Sequence, residues 1–312
     1  MSANSENRHS WAVVLAGGDG SRLQQLTQKI SGDSRPKQFC PLFGEKSLLS
    51  HTRERIAPLF PQDRTLFVLS SAHREYYGEQ LAGVSDALRV VQPGNRGTGV
   101  AMALCVQTIL RLDEDATVAF IPSDHYYANP QSFCDCVESA LEQVEQYPSS
   151  VVVVGADARY PETEYGWIQP GRTLVDSLVH PLQRVSRFWE KPTARRAEIL
   201  LRRGCLWNTF VTIGFAGAFL ELFQATVPQL TKALESVNNA SQMEELYSRI
   251  ASVDFSKTVL RGATRRLMVL RDGGSGWTDL GTPHRVLDTL SRHGLQPSWL
   301  DRTWAFQTSG KP

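Results

Sequence analysis

Three glycines in four positions, Gly17, Gly18 and Gly20, follow an apolar run near the start of the chain. Because glycine has no side chain, such a segment lets the backbone approach a ligand closely and present several N–H groups to phosphate oxygens. Arg22 adds a permanent, fork-shaped cation that suits phosphate. The dinucleotide fingerprint fails because Leu23 stands where glycine is needed, and no Gly-Lys-Ser/Thr follows to make a Walker A loop. The segment therefore predicts a phosphate site of another kind, with an ordinary glycine-rich turn as the alternative.

A second cation, Lys37, lies in the segment RPKQF at 35–39. Pro36 disfavours a helical conformation at Arg35 and stiffens the backbone that carries the lysine. A compact ammonium group there would meet a phosphate that is reached from the glycine segment. The alternative is a solvated loop lysine.

Two carboxylates are further candidates. Asp124 follows a predicted strand in the segment PSDH (122–125), and Asp279 lies in the segment GWTDLG (276–281). Oxygen ligands suit Mg²⁺, and two well-separated aspartates would hold one ion that also binds triphosphate oxygens. Either residue alone is equally typical of a helix N-cap or a turn. Ser123, Asp124 and His125 are adjacent in an extended segment, so they cannot form a catalytic triad. We expect His125 to be a hydrogen-bonded structural residue.

The first half of the chain alternates short apolar runs with helical patterns, which predicts a doubly wound α/β sheet. Near-continuous runs rich in β-branched residues are typical of buried parallel strands. The predicted strands are 11–16, 65–69, 88–91, 117–121 and 151–154, and the predicted helices are 47–59, 72–81, 99–112 and 131–146. Ligands of such sheets bind beyond the carboxyl ends of the strands, so the loops after Ala16, Val91 and Ile121 are the expected site.

The second half of the chain is less regular, and it contains no repeat or obvious linker. The predicted strands are 165–169, 185–189 and 266–270, and the predicted helices are 193–203, 219–236, 242–251 and 283–293. We expect Asp279 to complete a site that begins at Gly17, which argues against two independent domains. We also expect a flexible tail at 1–10, a core over 11–236 and a small C-terminal α/β subregion over 237–312.

Composition excludes several classes of protein. A hydrophobic share of 41% excludes a wholly disordered chain, and 33 basic against 32 acidic residues, a formal net charge of +1, excludes a strongly basic nucleic-acid binder. The sequence contains no run of about 18 apolar residues, so no membrane span is predicted. The N-terminus is polar and lacks the apolar core that a secretory signal requires.

Five scattered cysteines, at 40, 105, 134, 136 and 205, lack the paired spacing of zinc sites. This pattern favours reduced thiols and a cytoplasmic location. Cys134 and Cys136 lie two positions apart in a helical pattern and so point to different faces, which argues against a metal pair.

In order along the chain, eight segments resemble those of the sugar nucleotidyltransferases, and most of all the mannose-1-phosphate guanylyltransferase branch. The segments are LAGGDGSRL (15–23), RPKQF (35–39), PGNRGTGVA (93–101), PSDH (122–125), EYGWI (164–168), FWEKP (188–192), WNTFV (207–211) and GWTDLG (276–281). The resemblance covers nearly the whole chain. It implies a Rossmann-like, GT-A-like fold and a reaction in which a sugar 1-phosphate and an NTP give an NDP-sugar and pyrophosphate, most specifically GDP-mannose from mannose 1-phosphate and GTP.

The resemblance also implies roles for individual residues. Arg22, Lys37 and Asp124 would be catalytic, and Asp124 and Asp279 would hold Mg²⁺ or another divalent cation. The implied nucleotide-binding residues are Leu15, Ala16, Gly17, Gly18, Gly20, Ser21, Arg22, Lys37 and Thr98, and the implied sugar-phosphate-binding residues are Gly166, Glu190, Lys191 and Asn208. By themselves, Glu190 and Lys191 are a charged pair at a strand end, and the resemblance is what makes them site candidates.

The chain departs from the family pattern near the expected base and sugar. The departures are Gln24-Gln25, the longer stretch at 31–34, Arg96-Gly97-Thr98-Gly99-Val100 and Trp207-Asn208-Thr209-Phe210. Because Pro312 ends the sequence, we expect neither an appended isomerase domain nor a C-terminal β-helix.

The expected partners are small-molecule substrates only, with no nucleic acid and no membrane, and a homodimer stays open. Three alternatives also stay open. One is a transferase for another base or sugar, such as UTP, dTTP or glucose 1-phosphate. Another is a non-catalytic paralogue that binds sugar nucleotide and regulates a partner. The third, an NAD-dependent dehydrogenase, is disfavoured because its fingerprint breaks at Leu23.

Overall fold

The computed structural model of the chain describes residues 9–300. Residues 1–8 of the expected tail and residues 301–312 of the expected C-terminal subregion lie outside the described residues. Ser10, the last residue of that expected tail, already belongs to the first strand.

One nine-stranded sheet forms the centre of the molecule. Its strands are β1 (Ser10–Leu15), β2 (Thr65–Ser70), β3 (Arg89–Gln92), β4 (Thr117–Pro122), β6 (Val151–Asp157), β7 (Gly166–Val175), β8 (Leu182–Glu190), β9 (Leu206–Phe215) and β10 (Leu267–Arg271), while β5 (Tyr126–Tyr127) and β11 (Trp277–Thr278) form a separate ladder. The order is β3-β2-β1-β4-β9-β6-β10-β8-β7. Only β8 and β9 run against the other seven strands of this sheet. The predicted mostly parallel α/β fold is confirmed.

Helices pack on both faces of the sheet. They are α1 (Gln24–Ser31), α2 (Leu48–Ile56), α3 (Arg74–Tyr77), α4 (Thr98–Leu112), α5 (Pro130–Gln146), α6 (Ala194–Arg202), α7 (Ala216–Thr226), α8 (Pro228–Glu235), α9 (Ala240–Arg249) and α10 (Pro283–Arg292). Successive residues of β1 point to opposite faces, as the period of a strand requires. Val13 joins the apolar cluster under α4 and α7, whereas Val14 joins the cluster under α2 and α5.

Two predicted helices are wrong in extent. The helix expected over 219–236 is two helices that meet at Val227, because Pro228 lacks an amide hydrogen and disfavours a helical conformation in the residue before it. The helix expected over 72–81 is α-helical only over Arg74–Tyr77, and Gly78, a weak helix former, follows at once.

Strand β9 was not predicted, although it lies between β4 and β6 in the middle of the sheet. Its sequence places Asn208 and Thr209 in a run that is otherwise apolar, and this hides the strand pattern. Both polar side chains are buried, and the hydroxyl of Thr209 donates to the carbonyl oxygen of Val154 at 2.8 Å. Tertiary hydrogen bonds therefore make this polar pair compatible with a central strand.

The sheet brings the candidate segments to one edge. Strands β1, β3 and β4 are parallel, so the loops that follow Leu15, Gln92 and Pro122 emerge together. The β5–β11 ladder then places the segment after Thr278 beside the one that contains Asp124.

The predicted boundary at 236/237 stays a prediction. Strand β10, which lies beyond it, pairs with β6 and β8 of the same sheet. In residues 9–300, no helix combines the length and the apolar character that crossing a membrane requires.

Candidate functional site

A cavity of about 480 Å³ opens at the carboxyl edge of the sheet. The predicted site residues that line it are Leu15, Gly17, Gly18, Arg22, Thr98, Asp124, Gly166, Glu190, Lys191, Asn208 and Asp279. Four predicted residues, Ala16, Gly20, Ser21 and Lys37, lie next to these without lining the cavity. The structure thus brings together segments from both halves of the chain.

The glycine segment forms the floor of the cavity at the end of β1. Gly20 has a φ of 60°, in the left-handed region that favours glycine, and a Cβ there would lie 3.0 Å from the amide nitrogen of Lys37. At Gly18 a Cβ would meet nothing within 4 Å, so the backbone is open to the cavity. The buried amide of Gln38 donates to the carbonyl oxygens of Ala16 at 3.1 Å and Gly18 at 2.7 Å, which fixes the segment. Gln38 lies in the quoted motif, yet its role was missed.

Lys37 joins the two segments that carry the candidate carboxylates. Its side chain is buried, and Nζ lies 3.1 Å from Oδ2 of Asp124 and donates to the main-chain oxygen of Asp279 at 2.6 Å. Burial has the largest single effect and raises the pKa of Asp124, but Lys37, through its charge and its hydrogen bond, and His125 together outweigh it, and the pKa lies below its ordinary value. Asp124 is therefore ionised at neutral pH.

His125 supports Asp124 as a neutral imidazole. Its Nδ1 accepts a hydrogen bond from the indole nitrogen of Trp277 at 3.0 Å, and burial lowers the pKa of His125 to about 4. Because an indole nitrogen only donates, the imidazole proton is on Nε2, which lies 3.7 Å from Oδ1 of Asp124. This is the hydrogen-bonded role that the sequence predicts for His125.

One oxygen of Asp279 is fully engaged. Oδ1 accepts from the hydroxyl of Tyr165 at 2.9 Å, the amide of Gly281 at 2.8 Å and Nη1 of Arg285 at 2.8 Å. Burial raises the pKa of Asp279, but Lys37 and Arg285 more than offset this effect and keep the pKa below its ordinary value. Within residues 9–300, Oδ2 of Asp279 has no hydrogen-bond partner.

The two aspartates fit a divalent cation only together with a phosphate ligand. In the part of the chain that the structure describes, no group of three or more His, Cys, Asp or Glu side chains is arranged to hold a metal. Oδ1 of Asp124 and Oδ2 of Asp279 are the carboxylate oxygens not committed to hydrogen bonds. Mg²⁺ usually takes one or two carboxylates plus substrate phosphates and water, so this donor set suits it.

The opposite wall of the cavity is built from β7, β8 and β9. Gly166 pairs with Glu190, and a Cβ on Gly166 would lie 2.9 Å from Phe188, 3.0 Å from Oε2 of Glu190 and 3.1 Å from Cβ of Asn208. Only glycine fits there. Lys191 has a φ of 46° and is exposed.

Glu190 has an unusual protonation state. Burial, reinforced by the negative charge of Asp254, raises the pKa of Glu190 to about 7, although Lys191 acts in the opposite direction. Near neutral pH the carboxyl group of Glu190 is therefore protonated in some molecules and ionised in others. The protonated form can donate a hydrogen bond, and both forms can accept one. Asp254, which also lines the cavity, was missed because its only local signal is that of a helix N-cap.

Thr98 begins helix α4 at the rim of the cavity. Its hydroxyl accepts a hydrogen bond from the amide of Phe255 at 3.1 Å, and the amide of Gly99 donates to the carbonyl oxygen of Val253 at 2.8 Å. The segment at 252–256 thus forms a wall of the cavity beside the start of α4. It adds Ser252, Asp254 and Ser256 to the cavity.

Arg22 stands at the mouth of the cavity. It is half-exposed, and its Nη1 lies 3.4 Å from Oε2 of Glu164, which is equally exposed. Exposed ion pairs contribute little, about 0–1 kcal/mol, so this guanidinium can exchange Glu164 for a phosphate at low cost.

The sequence profile of the Nucleotidyl transferase family matches residues 11–293 of the chain. The chain is 28% identical over 291 residues to "Mannose-1-phosphate guanylyltransferase 2" of Escherichia coli O157:H7, which covers 89% of this chain and 59% of that protein. It is 32% identical over 232 residues to "Mannose-1-phosphate guanylyltransferase" of Klebsiella pneumoniae, covering 73% of this chain and 48% of that protein. The chain therefore spans about half to three fifths of the length of these relatives.

Solved structures agree with this match. A crystal structure of "mannose-1-phosphate geranyltransferase" from Thermus thermophilus superposes with a TM-score of 0.78 at 29% identity, covering 92% of this chain and 80% of that one. A UDP-glucose pyrophosphorylase complexed with UDP-glucose, at 16% identity and a TM-score of 0.55 over 91% of this chain and 98% of that one, shares the fold alone.

Proposed function

The chain belongs to the Nucleotidyl transferase family, and we propose that it transfers a nucleotidyl group from an NTP to a sugar 1-phosphate, which yields an NDP-sugar and pyrophosphate. The most specific form of the proposal is GDP-mannose from mannose 1-phosphate and GTP. The observation that carries it is the placement of Lys37 between Asp124 and Asp279 at the edge of a cavity floored by the glycine segment.

The proposed reaction exchanges one P–O bond for another. A phosphate oxygen of the sugar 1-phosphate attacks the α-phosphorus of the NTP, and the bond from that phosphorus to the α–β bridging oxygen breaks. Pyrophosphate leaves with the electron pair. Because a phosphate oxygen is already an adequate nucleophile, the protein needs no general base, and it acts by aligning the two phosphates and neutralising their charge.

Two cations of the chain match this task. Lys37 has three N–H donors, of which two are used by Asp124 and Asp279, and the third remains for an oxygen of the α-phosphate. Arg22, at the mouth of the cavity, would bind the β- and γ-phosphates that become pyrophosphate. Backbone N–H groups of the glycine segment would hold the phosphates between these two side chains.

Asp124 and Asp279 would hold Mg²⁺ through the carboxylate oxygens that no hydrogen bond occupies. When bound, the ion neutralises charge on the nucleotide phosphates. The remaining steps depend on the chain itself: Lys37 holds the carboxylate of Asp124 and the main chain of Asp279, and Nε2 of His125 lies 3.7 Å from Oδ1 of Asp124.

The wall of β7, β8 and β9 would receive the sugar phosphate. Glu190 and Asn208 present polar atoms for sugar hydroxyls, and Gly166 leaves the space that a side chain would fill. Lys191, exposed at the end of β8, would bind the phosphate group of the sugar. The names of the curated relatives support mannose and guanosine, whereas the departures at Gly97, Gly99 and 207–210 lie where base and sugar would bind.

The test is pyrophosphate release with Mg²⁺, measured over the four common NTPs and a panel of sugar 1-phosphates. We expect GTP with mannose 1-phosphate to give the highest kcat/KM. Asp124→Ala should remove most turnover without unfolding the protein, while Asp86→Asn, at a carboxylate 97% exposed, should leave it unchanged. Turnover retained in Asp124→Ala would refute the metal role. If the protein bound GDP-mannose tightly but released no pyrophosphate with any pair of NTP and sugar 1-phosphate, the result would favour a non-catalytic paralogue that binds sugar nucleotide.

A further inference from the structure

Arg285 lies between two carboxylates, one of which is Asp279 of the cavity. Its Nη1 donates to Oδ1 of Asp279 at 2.8 Å, and its Nη2 pairs with Oε2 of Glu162. The guanidinium also covers the ring of Tyr165, with 4.5 Å between its carbon and the ring centre. The side chains of Arg285 and Glu162 are each only 12% exposed. A fork-shaped cation buried in this way has one orientation, because both arms are occupied.

Glu162 is itself anchored. Its Oε1 accepts from the amide of Glu164 at 2.8 Å, and its main-chain oxygen accepts from the indole nitrogen of Trp167 at 2.8 Å. Tyr165, in the same turn, donates its hydroxyl to Oδ1 of Asp279. The turn before β7 thus reaches Asp279 along two routes, one direct and one through Arg285.

We propose that Arg285, held by Glu162, is a positioning residue that fixes the carboxylate of Asp279 so that Oδ2 alone is presented to the metal and nucleotide. This inference rests on the proposed function. Three donors saturate Oδ1, so a cation at Asp279 must use Oδ2. Glycine at position 281 leaves the space beside Oδ2 free, since a Cβ on Gly281 would lie 2.5 Å from it.

The Arg285–Glu162 pair orients Asp279 without changing the net charge beside it. Burial lowers the pKa of Arg285, but Asp279 and Glu162 raise it by more, so the guanidinium stays protonated. Glu162 offsets this charge in the net sum, while Arg285 itself lies against Asp279 and lowers the pKa of that carboxyl. Removing both partners therefore leaves the net charge unchanged, whereas removing Arg285 alone also removes a positive charge.

The same helix supplies a matched control. Asp288 and Arg292 form an ion pair four residues apart on α10, with side chains 41% and 54% exposed. The double substitution Asp288→Asn/Arg292→Met removes an equally neutral pair from the same helix, but one that does not contact Asp279.

The test compares Arg285→Met/Glu162→Gln with this control and with the unaltered protein. The probe is Mn²⁺, alone and with GTP, and free Mn²⁺ is measured by electron paramagnetic resonance. Loss of an outer partner of a metal ligand typically costs about 10–100-fold in metal affinity, and we expect this loss in the Arg285 variant and none in the control. The Mg²⁺ concentration for half-maximal turnover should rise by the same factor, with kcat partly restored at saturating Mg²⁺. A merely structural role would lower the melting temperature without moving this constant.

Equal Mn²⁺ affinity in the Arg285/Glu162 variant and the unaltered protein would overturn the inference. If that variant does not fold, Arg285→Lys carries the test, because its ammonium keeps the charge but lacks the planar fork whose two arms hold Asp279 and Glu162. Weakened Mn²⁺ binding in the lysine variant supports the inference, and unchanged binding overturns it. Failure of the proposed function looks different, since the unaltered protein would then release no pyrophosphate with any substrate pair.

Discussion

Replacing Glu190 with glutamine should stabilise the protein at alkaline pH while weakening binding of the sugar phosphate. The pKa of Glu190 is raised from 4.5 to about 7 by burial and by Asp254. Below about pH 4.5 the carboxyl is protonated in both the folded and the unfolded chain, so its contribution to stability is fully present. As pH rises, the unfolded chain loses the proton first, and stability falls until the folded carboxyl ionises near pH 7.

The size of the effect follows from that interval. At about 1.4 kcal/mol per pH unit, a pKa moved from 4.5 to about 7 costs the folded state about 3 kcal/mol once the carboxyl is ionised. Glutamine has a similar shape and cannot ionise. The free energy of unfolding of the Glu190→Gln variant, minus that of the unaltered protein, should therefore be about 3 kcal/mol larger at alkaline pH than at acidic pH.

The assay is urea unfolding followed by tryptophan fluorescence, at about pH 5 and about pH 8 for both proteins. Glu198→Gln is the matched control, because Glu198 lies 54% exposed in an ion pair with Arg202 on α6 and its difference should not change with pH. A Glu190→Gln difference that is the same at both pH values would refute the reasoning, since it would mean that Glu190 ionises in the folded protein as it does in water. The KM for the sugar 1-phosphate should rise in the same variant.

Three further predictions concern the phosphates, the sugar wall and the metal. Lys37→Met should lower kcat in the pyrophosphate assay by about 100- to 1000-fold, as is typical when a preorganised charge is lost, and a smaller loss would refute its place at the α-phosphate. Gly166→Ala should raise the KM for the sugar 1-phosphate by about 10-fold or more by displacing Glu190, whereas Gly217→Ala, where a Cβ would meet nothing within 4 Å, should leave it unchanged. Chelation of divalent cations should abolish turnover but shift the melting temperature little, because Lys37 and Arg285 already balance the carboxylates. Unfolding on chelation would contradict that balance.

Much of the fold could be predicted from local patterns. Strands β1, β2, β4 and β6 are apolar, β-branched runs, and their parallel order follows from the helices between them. Strand β9 could not be predicted in this way, because its Asn208 and Thr209 become compatible with a central strand only through partners supplied by other elements.

The site residues likewise fall into those that local sequence predicts and those that it does not. The glycine segment, Arg22, Lys37 and the two aspartates are visible in the sequence, because their residue types imply phosphate and cation chemistry. The glycine segment and Asp124 also follow predicted strands. Glu190 and Asn208 became candidates only through the family resemblance. Arg285 and Glu162 were missed, since a charged residue in a helix and another in a turn are ordinarily solvated.

The sequence by itself determined where the phosphate-binding backbone and its charges lie along the chain, because glycine content, strand pattern and residue chemistry are local properties. Only the tertiary structure decided which of these groups touch. The β5–β11 ladder brings Asp279 to Lys37 and Asp124, and the packing of α10 buries Arg285 between Asp279 and Glu162. These contacts join residues far apart in the chain, so they depend on sheet order and helix packing, which local sequence does not encode.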